Sequence, residues 1–291
     1  MDIKPSQEKL ICEALAIEVE EAKKADALGF MARALVQATM PHSAKDGTEF
    51  QRRNGAFTLT ILTPSSAGGL PYGSYPRLLL AWMVTEAVKK KNPHLELGES
   101  LSQFMGELGL LPTGGRWGTI TALKSQARRL FSSSINCDYS DDERTTGKNV
   151  LLVNEYDLWW APKKPDQASL WQSSIDLNEN FFKEVTDRPV PIDLRALKAL
   201  KRSPMALDIY SWLTYRMSYL RKQTCIPWGA LQLQFGSEYR RTRDFKKKFI
   251  ETLKKVSTVY PELNIEDSTK GLILKPSRPH IAKASKKVII S

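Results

Sequence analysis

The stretch from Ser100 to Ile135 constrains the fold most, because it reads as two helices with an obligatory break between them. Ser100 suits an N-cap, and Leu101, Phe104 and Leu108 recur on one helical face behind it. Leu110-Leu111-Pro112-Thr113-Gly114-Gly115 ends that helix, since Pro lacks the amide donor and Gly permits the turn. A second periodic segment follows, with Ile120, Leu123, Ala127, Leu130 and Phe131 facing inward. Thr119, Thr121, Lys124, Gln126 and Arg128 face outward. Small polar and basic side chains on the open face of a second helix are what readers of the DNA major groove carry. An ordinary amphipathic pair in a helical core fits this stretch alone equally well.

A chain of 291 residues suits two modest domains, at the usual ~100–200 residues each. Its 42% hydrophobic content supplies real cores and excludes disorder throughout. The longest apolar run, near Leu78 to Val84, is far shorter than the ~20 residues that span a bilayer. Met1-Asp2-Ile3-Lys4-Pro5 shows no signal-peptide pattern. Cys12, Cys137 and Cys225 lie too far apart to suggest a zinc site or a disulfide framework. These features predict a soluble cytosolic protein.

The net charge of +11 is uneven. Residues 1–200 are close to neutral, whereas residues 201–291 carry 19 Lys and Arg against 7 Asp and Glu. A basic field confined to the last third points to a polyanion, and DNA is the commonest in the cytosol. Charge alone leaves ribosomal or membrane-surface binding open.

In chain order, Ser6 to Gln37 supports one or two helices with Gly29 as a weak point. Phe57 to Leu62 alternates as a strand. Ser74 can cap a strongly buried helix that has Pro76 in its first turn and ends at Lys89-Lys90-Lys91. After the helix pair, Ile135 to Tyr139 and Val150 to Val153 read as two strands joined by a charged turn, the wing of a winged helix. Leu170 to Leu177 alternates as another strand. A Pro-containing linker from Thr186 to Asp193 marks a domain boundary.

The second half then repeats the order of the first. Pro204 opens a helix through Trp212 and Leu220, in which Trp212 takes the place of Trp82. A short strand and helix follow, with Leu231 and Phe235 matching Phe104 and Leu108. The next helix buries Phe245, Phe249, Leu253 and Val256, and Arg243 falls at the place of Arg116. Leu263 to Ile265 and Leu272 to Leu274 supply a second wing. Between Glu238 and Lys255, eight Lys and Arg stand against three acids. A solvated helix face would also carry such a run, but its position as the second helix of a helix-turn-helix favours phosphates and base edges. Arg suits bidentate contact with guanine, while Lys mainly neutralises phosphate.

Enzymatic signatures are missing. No G-x-x-x-x-G-K-[ST] stretch is present, and His42, His94 and His280 stand apart with no metal-ligand spacing. The acid pairs Asp141-Asp142 and Glu266-Asp267 read as turn residues. The chain is expected to be non-enzymatic and to need no cofactor or metal.

The segments Phe50 to Phe57 and Gly69-Leu-Pro-Tyr-Gly73 through Trp82 resemble plasmid RepA-type replication initiator proteins. Leu101 to Gly109, Gly114-Gly-Arg-Trp117 and Leu123 to Phe131 continue the likeness, which runs from about residue 50 to 280. The resemblance implies tandem winged-helix domains, binding to directly repeated origin sites (iterons), origin opening, and recruitment of the host replicative helicase and host initiator. It also implies a homodimer in equilibrium with monomer, and a bacterial cytoplasmic location. A winged-helix transcriptional repressor with no replication role is the alternative.

The expected fold is α+β, mainly helical, with two tandem winged-helix domains and an N-terminal helical extension. Residues 1–70 form that extension and a strand, 71–190 the first winged helix, 191–280 the second and main DNA-binding one, and 281–291 a basic tail. Arg116, Thr119, Lys124 and Arg128 are the expected DNA contacts of the first head. Arg240, Arg241, Arg243, Lys246, Lys247 and Lys254 are those of the second. Val150 to Val153 is expected to leave an open apolar edge for dimer pairing, unless the strand at Leu170 to Leu177 covers it.

Overall fold

The structure is a computed structural model, and it describes residues 5–160, 173–236 and 238–281. The chain begins with helix α1 (Pro5–Val19), strand β1 (Leu28–Met31), the short helix α2 (Arg33–Gln37) and the hairpin β2 (Glu49–Asn54) and β3 (Phe57–Leu62). Gly29, expected as a weak point between helices, lies instead in a strand. A Cβ there would come within 2.4 Å of Leu194, so only glycine admits that close approach. The expected strand at Phe57 to Leu62 forms, with Leu59 and Ile61 buried.

Helix α3 (Ser74–Lys90) follows, then β4 (His94–Glu96), α4 (Leu101–Glu107) and α5 (Thr119–Phe131). Gly73, not Ser74, takes the N-cap of α3, because the chain enters there with φ +78, a conformation suited to glycine. Nearly every residue from Pro76 to Ala87 is buried, so α3 is the central rod of this half. Ser100 caps α4 as expected, its Oγ accepting from the Gln103 amide at 3.2 Å. Gln126, expected to face solvent, is buried and accepts from the Tyr72 amide at 2.9 Å.

Four strands come next: β5 (Ser134–Ser140), β6 (Thr145–Leu151), β7 (Val153–Asp157) and β8 (Ser174–Leu177). The hairpin expected as the first wing takes another place. The β5–β6 hairpin forms, but it joins β2 and β3 in a four-stranded sheet of order β2-β3-β5-β6. Alternation explains this, because Leu59, Ile61, Ile135 and Val150 all turn inward on adjacent strands. The strands that close the helix trio are β7 and β8, in a sheet of order β4-β8-β7. The expected open edge at Val150 to Val153 is therefore divided. Val150 pairs with Ile135, Val153 pairs with Leu177, and Leu152 between them is fully buried. Much of the expected strand from Leu170, with Trp171, falls outside the described residues.

After α6 (Glu179–Asp187), the expected linker contains a strand, β9 (Val190–Asp193), which pairs antiparallel with β1. Then come α7 (Leu194–Leu200), α8 (Pro204–Met217), β10 (Thr224–Pro227), α9 (Trp228–Phe235), α10 (Thr242–Val259), β11 (Ile265–Asp267) and β12 (Gly271–Leu274). The last three strands form a sheet of order β10-β12-β11. The order helix, strand, helix, helix, strand, strand thus occurs twice, each time with the last strand in the middle of the sheet. The basic tail beyond Ile281 lies outside the described residues.

The two modules share one continuous apolar core. An ionic cluster within it crosses between them. Arg77 of α3 donates from Nε and Nη2 to both Asp208 oxygens of α8 at 2.7 Å, and to the carbonyls of Met40, Pro41 and Gly73. His42 Nε2 meets Asp208 Oδ2 at 2.7 Å. The buried Arg52 of β2 donates to Glu238, ahead of α10, at 3.0 Å.

Candidate nucleic-acid interface

Each module ends its helix trio with an amphipathic helix whose outer side is open. For α5 the entrance is built by glycine and threonine. A Cβ on Gly118 would stand 2.2 Å from the Thr113 carbonyl oxygen, so residues 113–118 close on themselves only with glycine there. Thr119, an expected DNA contact, is occupied by this loop. Its Oγ1 accepts from the Thr113 amide at 2.9 Å and donates to the Leu111 carbonyl at 2.5 Å. Arg116 is exposed and lies in the loop, with its guanidinium 5.1 Å from the Trp117 ring centroid. Lys124 projects from the outer face of α5 and is exposed. Arg128 shares that face but donates to the Ser66 carbonyl at 2.7 Å.

In the second module, Gly236 sets the turn before α10, since a Cβ there would stand 2.3 Å from the Phe245 ring. Arg240 and Arg241 are exposed in this turn, and Arg241 is the N-cap position. Arg243, Lys247 and Lys254 recur at helical spacing along the exposed side of α10, opposite buried Phe245, Phe249 and Val256. Lys246 points back instead. It donates to the Ser268 carbonyl at 2.8 Å and lies 4.7 Å from the Trp228 ring centroid, so it braces the β11–β12 turn. Arg116 and Arg243, expected at equivalent places, are not equivalent: the first precedes its helix, the second is inside it.

The structure thus gathers Arg240, Arg241, Arg243, Lys247 and Lys254 on one helix and its approach, and Arg116 and Lys124 on the other. Thr119, Arg128 and Lys246 are held by internal partners. The sequence reading did not count Trp117 among the contacts, and it is 89% exposed. Its position between glycines, outside any apolar periodicity, was the available signal. Among the described residues, no group of three or more His, Cys, Asp or Glu side chains could hold a metal ion, and no helix is long and apolar enough to cross a membrane.

Comparison with known proteins bears on the fold and the family. Domains 2 and 3 of RctB match over 84% of this chain and 98% of theirs, with a TM-score of 0.52 at 12% identity, which shows a shared fold. A second structure of RctB domains 2–3 covers 83% of this chain and 96% of its own, with a TM-score of 0.47 at 12% identity. No curated protein matches the sequence. The family model of the plasmid-encoded RepA protein matches residues 70–229, from the entry to α3 through the start of α9. The chain is therefore a member of the plasmid-encoded RepA family of replication initiators.

Proposed function

We propose that the protein starts plasmid replication by binding duplex DNA at directly repeated origin sites with two winged-helix heads, spanning residues 74–177 and 204–274. The carrying observation is the twice-repeated order of helices and strands, with a basic, solvent-facing third helix in each copy. In this reading α5 and α10 enter successive major grooves, and β7–β8 and β11–β12 are the wings. Two heads on one subunit suit direct repeats, because a palindrome is read most simply by two subunits related by a twofold axis. Opening of the origin and recruitment of the host helicase and host initiator follow binding. A dimer in exchange with monomer uses β6, one of the two outer strands of the four-stranded sheet, whose open edge can accept a second copy.

Footprinting on the DNA flanking the gene tests this reading. Protection of several direct repeats is expected. Protection confined to one inverted repeat over a promoter would overturn it in favour of a repressor.

A further inference from the structure

Between the two heads lies a pair of cations that the sequence reading left out. Lys201 is the C-cap of α7, and Ser203 caps α8 by accepting from the Ala206 amide. Lys201 and Arg202 are therefore held in a tight corner between one helix that has ended and another that has begun. Lys201 donates to the Gly109 carbonyl in the α4–α5 loop, which ties the corner to the first head. Arg202 is exposed and has no hydrogen-bond or ion-pair partner among the described residues.

Two grooves meet at this corner. One, of about 480 Å³, runs along α5 and is lined by Ala122 and Ser125 together with Tyr75, Lys201 and Arg202. The other, of about 530 Å³, runs between α1 and α10 and is lined by Leu10 and Ile11 on one side and Glu251, Lys254 and Lys255 on the other, together with Arg202. Arg202 is the one residue common to both. Positive charge is crowded here. Burial first, and then Lys9, Arg202 and Lys198, hold the Lys201 ammonium below its ordinary value, with Glu13 opposing them. Such crowding is unfavourable in the free protein and is relieved by a polyanion laid across it.

We infer that Arg202 forms a third DNA contact, a phosphate clamp at the junction of the heads that fixes their spacing along the duplex, with Lys201 holding the corner to the first head through Gly109. This inference rests on the DNA-binding reading above. The ligand is the sugar-phosphate backbone rather than a base edge. The grooves lead along the flanks of α5 and α10, so a strand crossing the corner presents phosphates while the helices hold the bases. The planar guanidinium of Arg202 matches a phosphate in bidentate fashion.

The test uses the full chain on a random-sequence duplex of about 30 base pairs, three helical turns, across a sodium chloride series. Arg202→Gln is expected to make log K fall less steeply with log salt by about 0.9, the value for one phosphate. Arg202→Lys keeps the charge and restores the slope. Lys91→Asn, at the far end of α3, leaves it unchanged. Wild-type binding with an unaltered slope and affinity in Arg202→Gln overturns the clamp and spares the DNA reading. Absence of salt-dependent binding by the wild type overturns both.

Discussion

The indole of Trp82 stands edge-on to the ring of Phe104, with centroids 5.0 Å apart and planes at 81°. Trp212 stands on Phe235 in the same way, at 5.3 Å and 69°. Both tryptophans occupy the ninth residue of their helices, α3 and α8. The phenylalanines do not correspond so simply. Phe104 is the fourth residue of α4 and Phe235 the eighth of α9, so the second pair is made one helical turn later. The sequence match of Leu231 to Phe104 followed chain position, whereas the fold conserves the edge-to-face contact.

The Trp82 contact is also fastened at its polar edge, where Nε1 donates to Glu107 at 2.8 Å. Trp82→Ala removes the ring, the aromatic contact and that bond together. A loss of about 3–5 kcal/mol of stability is expected in urea unfolding. Trp82→Phe, which keeps most of the ring, should cost clearly less. Equal costs for the two would show that the ring is not what joins α3 to α4.

The helices around these pairs were legible because their apolar residues repeat at helical spacing and their ends carry strong signals, Ser100 and Pro204 among them. The β11–β12 hairpin was legible because its two strands and turn are adjacent in sequence. The β7–β8 pair was not, because the β5–β6 hairpin of equal strand character lies ahead of it, and only pairing with β3 shows which sheet takes that hairpin. The β1–β9 pair joins residues about 160 apart, beyond any local pattern. Likewise, the sequence displays Lys246 and Lys247 alike. Only the packing of Trp228 and the Ser268 carbonyl turns one of them inward.

Acid should loosen the junction between the modules. Burial lowers the His42 imidazole from its ordinary value, against the pull of Asp208. Burial raises the Asp208 carboxyl, but Arg77 and His42 more than reverse this and hold it low. Both folded values thus lie below the unfolded ones, so the unfolded chain binds more protons as pH falls and stability rises with pH. The His42 contribution is complete above about pH 6.5 and declines below it, and the Asp208 contribution declines below about pH 4. Urea midpoints from pH 8 downward measure this. Asp208→Asn strands the buried Arg77 and should cost about 3–5 kcal/mol at neutral pH. A midpoint unchanged by that substitution would dismiss the cluster as a structural tie.

Trp117 is so exposed that its removal should leave the fold alone. Trp117→Ala is expected to change stability by less than about 0.5 kcal/mol, while weakening duplex binding several-fold through loss of the Arg116–Trp117 stack at the entrance to α5. Unaltered binding would place that loop away from DNA.

Reading and holding should separate on α10. Arg243, near the start of the helix, is 84% exposed on its side chain, with Asp244 3.7 Å from its Nε, and on the proposed reading it meets base edges. Arg243→Ala should cost about 1–3 kcal/mol and relax preference at one base position. Lys254→Ala, three turns further on, should weaken all sequences alike. Selection of bound sequences by each variant measures the difference, and identical preference in Arg243→Ala and wild type would mean that α10 faces the duplex differently.

The second head should supply most of the electrostatic affinity. Its exposed helix and approach offer five cations that make no side-chain hydrogen bond among the described residues, whereas on the first head Arg128 is committed to Ser66 and Thr119 to the loop. Separate fragments are a poor test. A cut near residue 190 parts β9 from β1, removes Asp208 from Arg77, and strips α1 from its seat on α10. The comparison belongs in the full chain. Arg243, Lys247 and Lys254 changed together to Gln should reduce the salt slope by about 2–3, near 0.9 for each phosphate lost. Arg116, Lys124 and Arg128 changed together should reduce it by about 1–2, because the Arg128 guanidinium already has a carbonyl to hold. Both triples are exposed, so thermal unfolding should be nearly unchanged and differences in binding can be assigned to charge. Equal slopes for the two triples would show that the heads share the load, and that the basic excess of residues 201–291 serves something other than this duplex.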